Sequence, residues 1–451
     1  MTVHRLKCAI LAVFASVLAS GAAYGAKAID FTCSGYAGDS VLANFPVLVR
    51  LAEGSPASFS YADMLDSTSG AELRFYDEAE HLLPYEIEKW DPHGTSLVWV
   101  KVPELSKTAT FTMYYGRESE DAVTAADTWS GGYVGVWHMA EANGDVADAT
   151  GHGLTAVPKG TTTAQVATDG VFGNARVNAT STSKGYLDVA YNSLLDLGDT
   201  FTVSGWFKMT GLNSSTPVFG RQLGWYSTDG WTFEMKSSYT DFVVRGSAKT
   251  ADAINVGGSI PSAQNAWVHL AVVYKGTDVA VYANSEQVTT GVIDAAKNNK
   301  TDLMFGYGNT RSYLYGVFDE FRLMSGTASA DWIKAEYDQS NASFLTAKEG
   351  VVPTADVFVT LTVPALEHMS VALVTVGKDA VAPEEDGTYR VAKGATVTVE
   401  FAVNDGYVLD AKSMRFKAAD DMALPAEGRP NAIAVGDVEV VLNEIGASND
   451  E

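Results

Sequence analysis

Cleaving a glycosidic bond with retention takes two carboxylates about 5 Å apart, one acid and one nucleophile, and three segments of this sequence approach that pattern. Glu336-Tyr-Asp338 opens the spacing Glu-x-Asp-x-x-Glu, but its next required position is Asn341 and the segment reads as helix. Glu384-Glu-Asp386 meets Tyr389 at that position and lies in a turn. Glu86 and Glu88 flank Ile87 on one strand face with Trp90; paired acids beside an indole would form a groove, or else a solvated outer face, and the expectation is the outer face. The spacings Gly-x-Ser-x-Gly and His-Glu-x-x-His are missing. His81, His93, His138, His152, His269 and His368 are scattered, none at metal-ligand spacing from another. His269 shares strand parity with Trp267, Ala271 and Val273, and reads as structural.

Sugar recognition asks for something else: exposed rings to cover the apolar faces of pyranoses, with polar groups for their hydroxyls. Trp225, Tyr226 and Trp231 cluster around Gly224 and Gly230, while Tyr307, Asn309, Arg311, Tyr313 and Tyr315 crowd a second loop. These rings would line a binding rim or plug the ends of a core. Trp99, Trp137 and Trp267 are expected in cores; Trp206 lies on the face opposite Phe201, Val203 and Phe207, lining a sheet face or sitting beneath a loop.

The elements that must hold these groups are strands. In residues 29–118, Val47, Val49 and Leu51, Leu73 and Phe75, Val98, Val100 and Val102, and Phe111, Met113 and Tyr115 form apolar rows of period two, separated by turn clusters such as Asp91-Pro-His-Gly94. Residues 119–131 and 339–354 read as links. Residues 132–346 carry many short strands and end in a helical stretch, Ala328 to Asp338, with Trp332, Ala335 and Glu336 at helix spacing. Residues 355–445 alternate again, with Asn404-Asp-Gly-Tyr407 as a turn. The expected fold class is therefore all-β, three consecutive β-sandwich domains.

Residues 1–28 have the layout of a signal peptide, with Arg5 and Lys7 before an apolar run from Cys8 to Ala19. That run is shorter than the roughly 20 residues a bilayer requires. Export is expected, to the cell surface or beyond, with no membrane span after signal removal and no lipid or hydrophobic anchor. Asp and Glu number 55 against 31 Lys and Arg, and loss of Arg5, Lys7 and Lys27 takes the net charge from −24 to −27. Such a surface repels phosphate backbones, so nucleic acid is not an expected partner. Cys33, the one cysteine left after the signal, cannot form an internal disulfide and is expected to be buried.

Three stretches, Gly185-Tyr-Leu-Asp-Val189 running on to Phe201-Thr-Val-Ser-Gly-Trp-Phe-Lys208, Trp267-Val-His-Leu-Ala-Val-Val-Tyr274 and Gly316-Val-Phe-Asp-Glu-Phe-Arg-Leu323, resemble a laminin-G-like domain of the concanavalin A-like jelly roll. Asn44-Phe-Pro-Val-Leu-Val-Arg50, Leu83-Pro-Tyr-Glu-Ile-Glu-Lys-Trp90 and Met113-Tyr-Tyr-Gly116 resemble a domain of unknown function found in modular exported bacterial proteins. The last segment is similar in pattern to bacterial immunoglobulin-like repeats. The first resemblance implies a reader of sugars or proteins outside the cell. It also implies a structural calcium where the last core strand meets an early loop. Asp319 sits in an apolar row with Val317, Phe321 and Leu323 and needs a specific partner. Asp148 and Asp319, with the Gly151 carbonyl, are the candidate calcium ligands; the alternative is a capped turn and an aspartate accepting backbone hydrogen bonds.

The expectation carried forward is a non-catalytic, exported binding protein whose central jelly roll recognises an extracellular or cell-surface glycan. Its rivals are an adhesion or structural module for a surface protein and a diverged glycoside hydrolase.

Overall fold

The computed structural model describes residues 27–352 except 80, 117–122, 161–165, 168, 180–183, 212–215, 222–229, 236–241, 246–252, 256–259, 294–299 and 309–311. It also describes 5–9, 358–362, 369–376, 379–383, 389–392, 397–403, 417–418 and 438–439. The chain divides into two compact units, Tyr24–Val351 and a second made of Met1–Ala23 with Val352–Glu451.

In the first unit the period-two rows close a sandwich. Strands Leu42–Leu51, Ser96–Leu105 and Tyr85–Lys89 form one sheet. Thr346–Glu349, Lys27–Thr32, Thr110–Tyr115 and Arg74–Asp77 form the other, in that order. Val47, Val49, Leu51, Leu73, Phe75, Val98, Val100, Val102, Phe111, Met113 and Tyr115 are all buried in the core between them, together with Cys33. Each full burial of such a side chain stabilises by about 1.5–3 kcal/mol.

A correction concerns the second link. Its residues Thr346–Glu349 are a strand that pairs antiparallel with Lys27–Thr32. Four residues are too few to show a period, and only the partner reveals the strand. Helix Ala330–Asp338, capped by the Ser329 side chain accepting from Trp332 N–H, also returns to the sandwich. Ala335 and Phe344 join its core, and the Gln339 amide bridges Leu48 N–H at 2.6 Å and the Pro46 carbonyl at 3.2 Å. In the first link, Ala125–Trp129 is a 3-10 turn with Trp129 buried. The two modules share a further cluster that includes Leu48, Leu97 and Trp99 on one side and Tyr133, Phe172, Trp206 and Ile333 on the other.

The jelly roll has two large antiparallel sheets among the described residues. One runs Ala253–Asn255, Phe242–Arg245, Thr232–Met235, Thr216–Gly220, Leu303–Phe305, Gly185–Val189, Ala156–Gly160. The other has Gly316–Ser325 beside Thr200–Met209, followed by Val268–Lys275, Asp278–Ala283 and Glu286–Val292. On the opposite edge of Gly316–Ser325, strand Ala175–Ala179 pairs with residues 316–318 and Tyr133–Trp137 with 321–324.

Asp319 and Glu320 occupy the gap between those two neighbours. Glu320 takes φ 50°, in the left-handed region, and the pairing with Thr200–Met209 shifts register between Ser204 and Trp206. That bulge moves the parity by one, so Phe318 shares the core with Phe321 and Leu323. The unbroken row of Val317, Asp319, Phe321 and Leu323 is thereby corrected.

The second unit is also β-structure. Arg5–Ala9, Val397–Val403, Met369–Val376 and Asp379–Val381 make one sheet. Tyr389–Ala392, Phe358–Thr362, Val438–Glu439 and Lys417–Ala418 make another. Among the described residues, no helix of the chain is long and apolar enough to cross a membrane.

Candidate functional site

Two places gather chemistry, both in the first unit. The first is a tyrosine platform on the jelly roll. Strand Gly185–Val189 alternates, burying Leu187 and Val189 and turning Tyr186 and Asp188 outward. The short strands Tyr307–Gly308 and Ser312–Tyr313 pair as a hairpin that sets Tyr307 against Tyr313. The Tyr186 and Tyr307 rings stack at 4.3 Å, Tyr307 and Tyr313 lie 4.9 Å apart, and Tyr186 and Tyr313 6.3 Å. All three are half-buried. Burial, then the neighbouring Asp302, pushes the Asp188 carboxyl up to about 6.

Of the expected rim residues, Tyr307 and Tyr313 belong to this platform; Trp225, Tyr226, Asn309 and Arg311 lie outside the described residues. Trp231 is a correction. It is 3% exposed and packs against Phe201, Phe219 and Tyr274 in the core between the sheets, so it offers no ring to a ligand. Tyr186 was missed because its strand reads simply as half-buried; only the hairpin's return brings two more phenols beside it.

The second place is a cleft of about 310 Å³ between the sandwich and the jelly roll, lined by Glu86, Ile87, Glu88, His138, Ala140, Glu141, Ala147 and Ala149. The expectation that Glu86 and Glu88 form a solvated outer face is overturned, since their side chains are only 17% and 1% exposed. A register shift between Ile87 and Lys89 detaches Trp90 from that face. Trp90 instead packs edge-on to Tyr61 and donates to the Ser67 carbonyl.

His138 lies 2.6 Å from Glu320 through Nδ1 and 3.2 Å from Glu86 through Nε2, with Glu88 at 3.7 Å. Each carboxylate has a further support. Trp129 Nε1–H donates to Glu86, Trp99 Nε1–H donates to Glu88 at 2.7 Å, and Arg322 pairs with Glu320 at 2.8 Å. The Arg322 guanidinium also lies 4.6 Å and 5.1 Å from the Trp99 and Trp129 ring centroids.

Burial pulls the His138 ring toward neutrality, but Glu320, Glu86 and Glu88 outweigh it and hold the ring well above its ordinary value. Burial and Glu320 push the Glu88 carboxyl up. His269 behaves oppositely: burial and Arg322 bring it down to about 3, so it is neutral, in keeping with a structural role. Trp206 stacks on Tyr337 of the returning helix at 5.5 Å, which places it beneath that helix.

The candidate calcium ligands are held by protein donors. Asp148 Oδ1 accepts from the N–H groups of Val136 and Thr150 and the Thr150 hydroxyl, and its Oδ2 from Leu154 N–H. Asp319 Oδ2 accepts from Val171 and Phe172 N–H at 2.6 and 3.0 Å. A Cβ on Gly170 would lie 2.9 Å from that oxygen, which is why the wrapping loop begins with glycine. Gly151 turns at φ 77° with its N–H toward the Asp148 carbonyl. For Asp148 this is the capped-turn arrangement, while Asp319 Oδ1 has no hydrogen-bond partner among the described residues.

Residues 180–334 match the family described as the concanavalin A-like lectin/glucanases superfamily, Laminin_G_3. Residues 69–137 match the domain of unknown function DUF2341, a span that ends on the strand carrying Trp137, beyond the expected boundary at 118. The chain is thus nearly all β and contains a concanavalin A-like domain. No curated protein matches it.

Among solved structures, it is similar to domain 4 of AbnA, a GH43 extracellular arabinanase from Geobacillus stearothermophilus, in complex with arabinotriose. Identity there is 17% over 47% of this chain and 98% of that one, with TM-score 0.37. The binding domain of Paraclostridial Mosquitocidal Protein 1 is 16% identical over 48% of this chain and 52% of its own, with TM-score 0.38. The botulinum neurotoxin serotype D binding domain is 14% identical over 48% and 52%, with TM-score 0.35. The chain spans about half the length of these two toxin domains.

Proposed function

We propose that the chain is an exported, non-catalytic binding protein whose concanavalin A-like domain takes an extracellular or cell-surface carbohydrate on the tyrosine platform. The observation that carries this reading is the half-buried cluster of Tyr186, Tyr307 and Tyr313, with Asp188 turned to the same side of its strand as Tyr186. Rings cover the apolar face of a pyranose, and phenol hydroxyls and a carboxylate take its hydroxyls. The sandwich and the C-terminal module, immunoglobulin-like in its sequence pattern, serve as spacers or added contact surfaces. Support for a non-catalytic role comes from the cleft, where Glu86 and Glu88 are engaged by Trp129, Trp99 and His138.

A glycan array probed with the whole chain tests the reading. Retention of an oligosaccharide class, weakened about tenfold or roughly 1.4 kcal/mol by Tyr307→Ala, is the expected result. Silence on glycans with capture of a surface protein would replace it with the adhesion reading. Turnover of a polysaccharide that is lost in Glu86→Gln would make the chain an enzyme.

A further inference from the structure

His138, Glu88 and Glu320 each offer a ligand atom, and these atoms lie within 4.8 Å of one another. They come from three separate places: a strand of the sandwich, the residue just after the first jelly-roll strand, and the bulge in Gly316–Ser325. A tetrahedral zinc with bonds near 2.0–2.1 Å needs ligand atoms about 3.3 Å apart. The observed separations of 2.6 Å and 3.7 Å from His138 Nδ1 bracket that value.

His138 and Glu320 are each fixed through the atom that does not face the other. His138 Nε2 faces Glu86, which sets the tautomer with the Nδ1 lone pair toward the cluster. Arg322 holds Glu320 Oε2, and Trp99 orients Glu88 by donating to Oε2, the oxygen 3.7 Å from His138 Nδ1. This is the outer-shell support that metal ligands characteristically have.

A hydrogen-bonded ion cluster alone leaves Glu88 Oε1 unexplained. An imidazolium has two N–H groups, and both are directed, to Glu320 and to Glu86. Glu88, with its side chain 1% exposed, is left with a buried Oε1 that has no hydrogen-bond partner among the described residues, and a bound metal ion would give that oxygen one.

We propose that Glu88, His138 and Glu320 bind a divalent cation of the zinc class, with Glu86 orienting the imidazole, and that the ion ties the sandwich to the jelly roll. An imidazole nitrogen with two carboxylates suits zinc and its first-row neighbours better than calcium, which prefers six to eight oxygens. The site is independent of the tyrosine platform and of any glycan.

The test is metal analysis and zinc titration of the full chain after chelation, with calcium as a parallel arm. One zinc per chain, a rise of several degrees in the melting midpoint, and little response to calcium are expected. Glu88→Gln, close in shape to the native side chain, and His138→Gln should each weaken zinc at least tenfold, and Glu86→Gln about tenfold. His81→Gln, which alters an exposed His81–Asp77 pair, should leave zinc binding unchanged. The Gln variants are compared with chelated wild type for melting behaviour, so loss of folding is read apart from loss of metal. Absence of zinc binding by wild type, or unchanged affinity in a folded Glu88→Gln chain, overturns the site.

Discussion

At the level of single side chains, the supply of donors decides what each aspartate does. Asp148 gathers three N–H groups and a hydroxyl, so Asp148→Ala strands buried donors. The expected loss is about 2–3 kcal/mol, read as a lowered midpoint in urea unfolding. Asp188 has Asp302 nearby and few donors, and its carboxyl is raised from 3.8 to about 6. A raised folded value means the native state favours the protonated form. That contribution is whole below pH 4 and is lost as pH rises through 6. Asp188→Asn is therefore expected to stabilise the chain at pH 7.5 by about 1 kcal/mol, allowing for solvent screening, and to have no effect at pH 3.5. A gain at pH 3.5 equal to that at pH 7.5 would contradict the assigned titration.

At the level of elements, period two made the sandwich core legible: the expected rows of residues 29–118 are all buried. The same rule failed at the two bulges. The shift between Ile87 and Lys89 took Trp90 off the face of Glu86 and Glu88, which the jelly roll covers, and the shift at Asp319–Glu320 placed Phe318 in the core. Alternation assumes an unbroken ladder, and no composition signal marks these breaks. His138 and Glu320 lie 182 residues apart in sequence, so spacing could not pair them. Helix Ala330–Asp338 was legible from its 3.6 period, but its return to the sandwich was not. Gln339, just after that helix, satisfies two buried backbone groups of strand Leu42–Leu51. Gln339→Ala is expected to cost about 2 kcal/mol and to expose that strand to faster hydrogen exchange.

At the level of the molecule, the sandwich is incomplete without the chain that follows the jelly roll. Thr346–Glu349 forms an outer strand of its sheet, and Ala335 and Phe344 fill its core. Residues 27–116 expressed alone are expected to be protease-sensitive, with resistance returning once 330–351 are supplied. Residues 24–351 should then unfold in one calorimetric transition; two transitions would show modules that fold independently. Such a closed unit gives the tyrosine platform a rigid support, which lowers the ordering cost of binding.

The binding claim meets its most direct measurement in crystals of the chain soaked with an oligosaccharide retained on the array. A pyranose lying against Tyr307 and Tyr313, its hydroxyls within reach of Asp188, is the predicted density. Sugar bound elsewhere, with the three phenol rings bare, would contradict it.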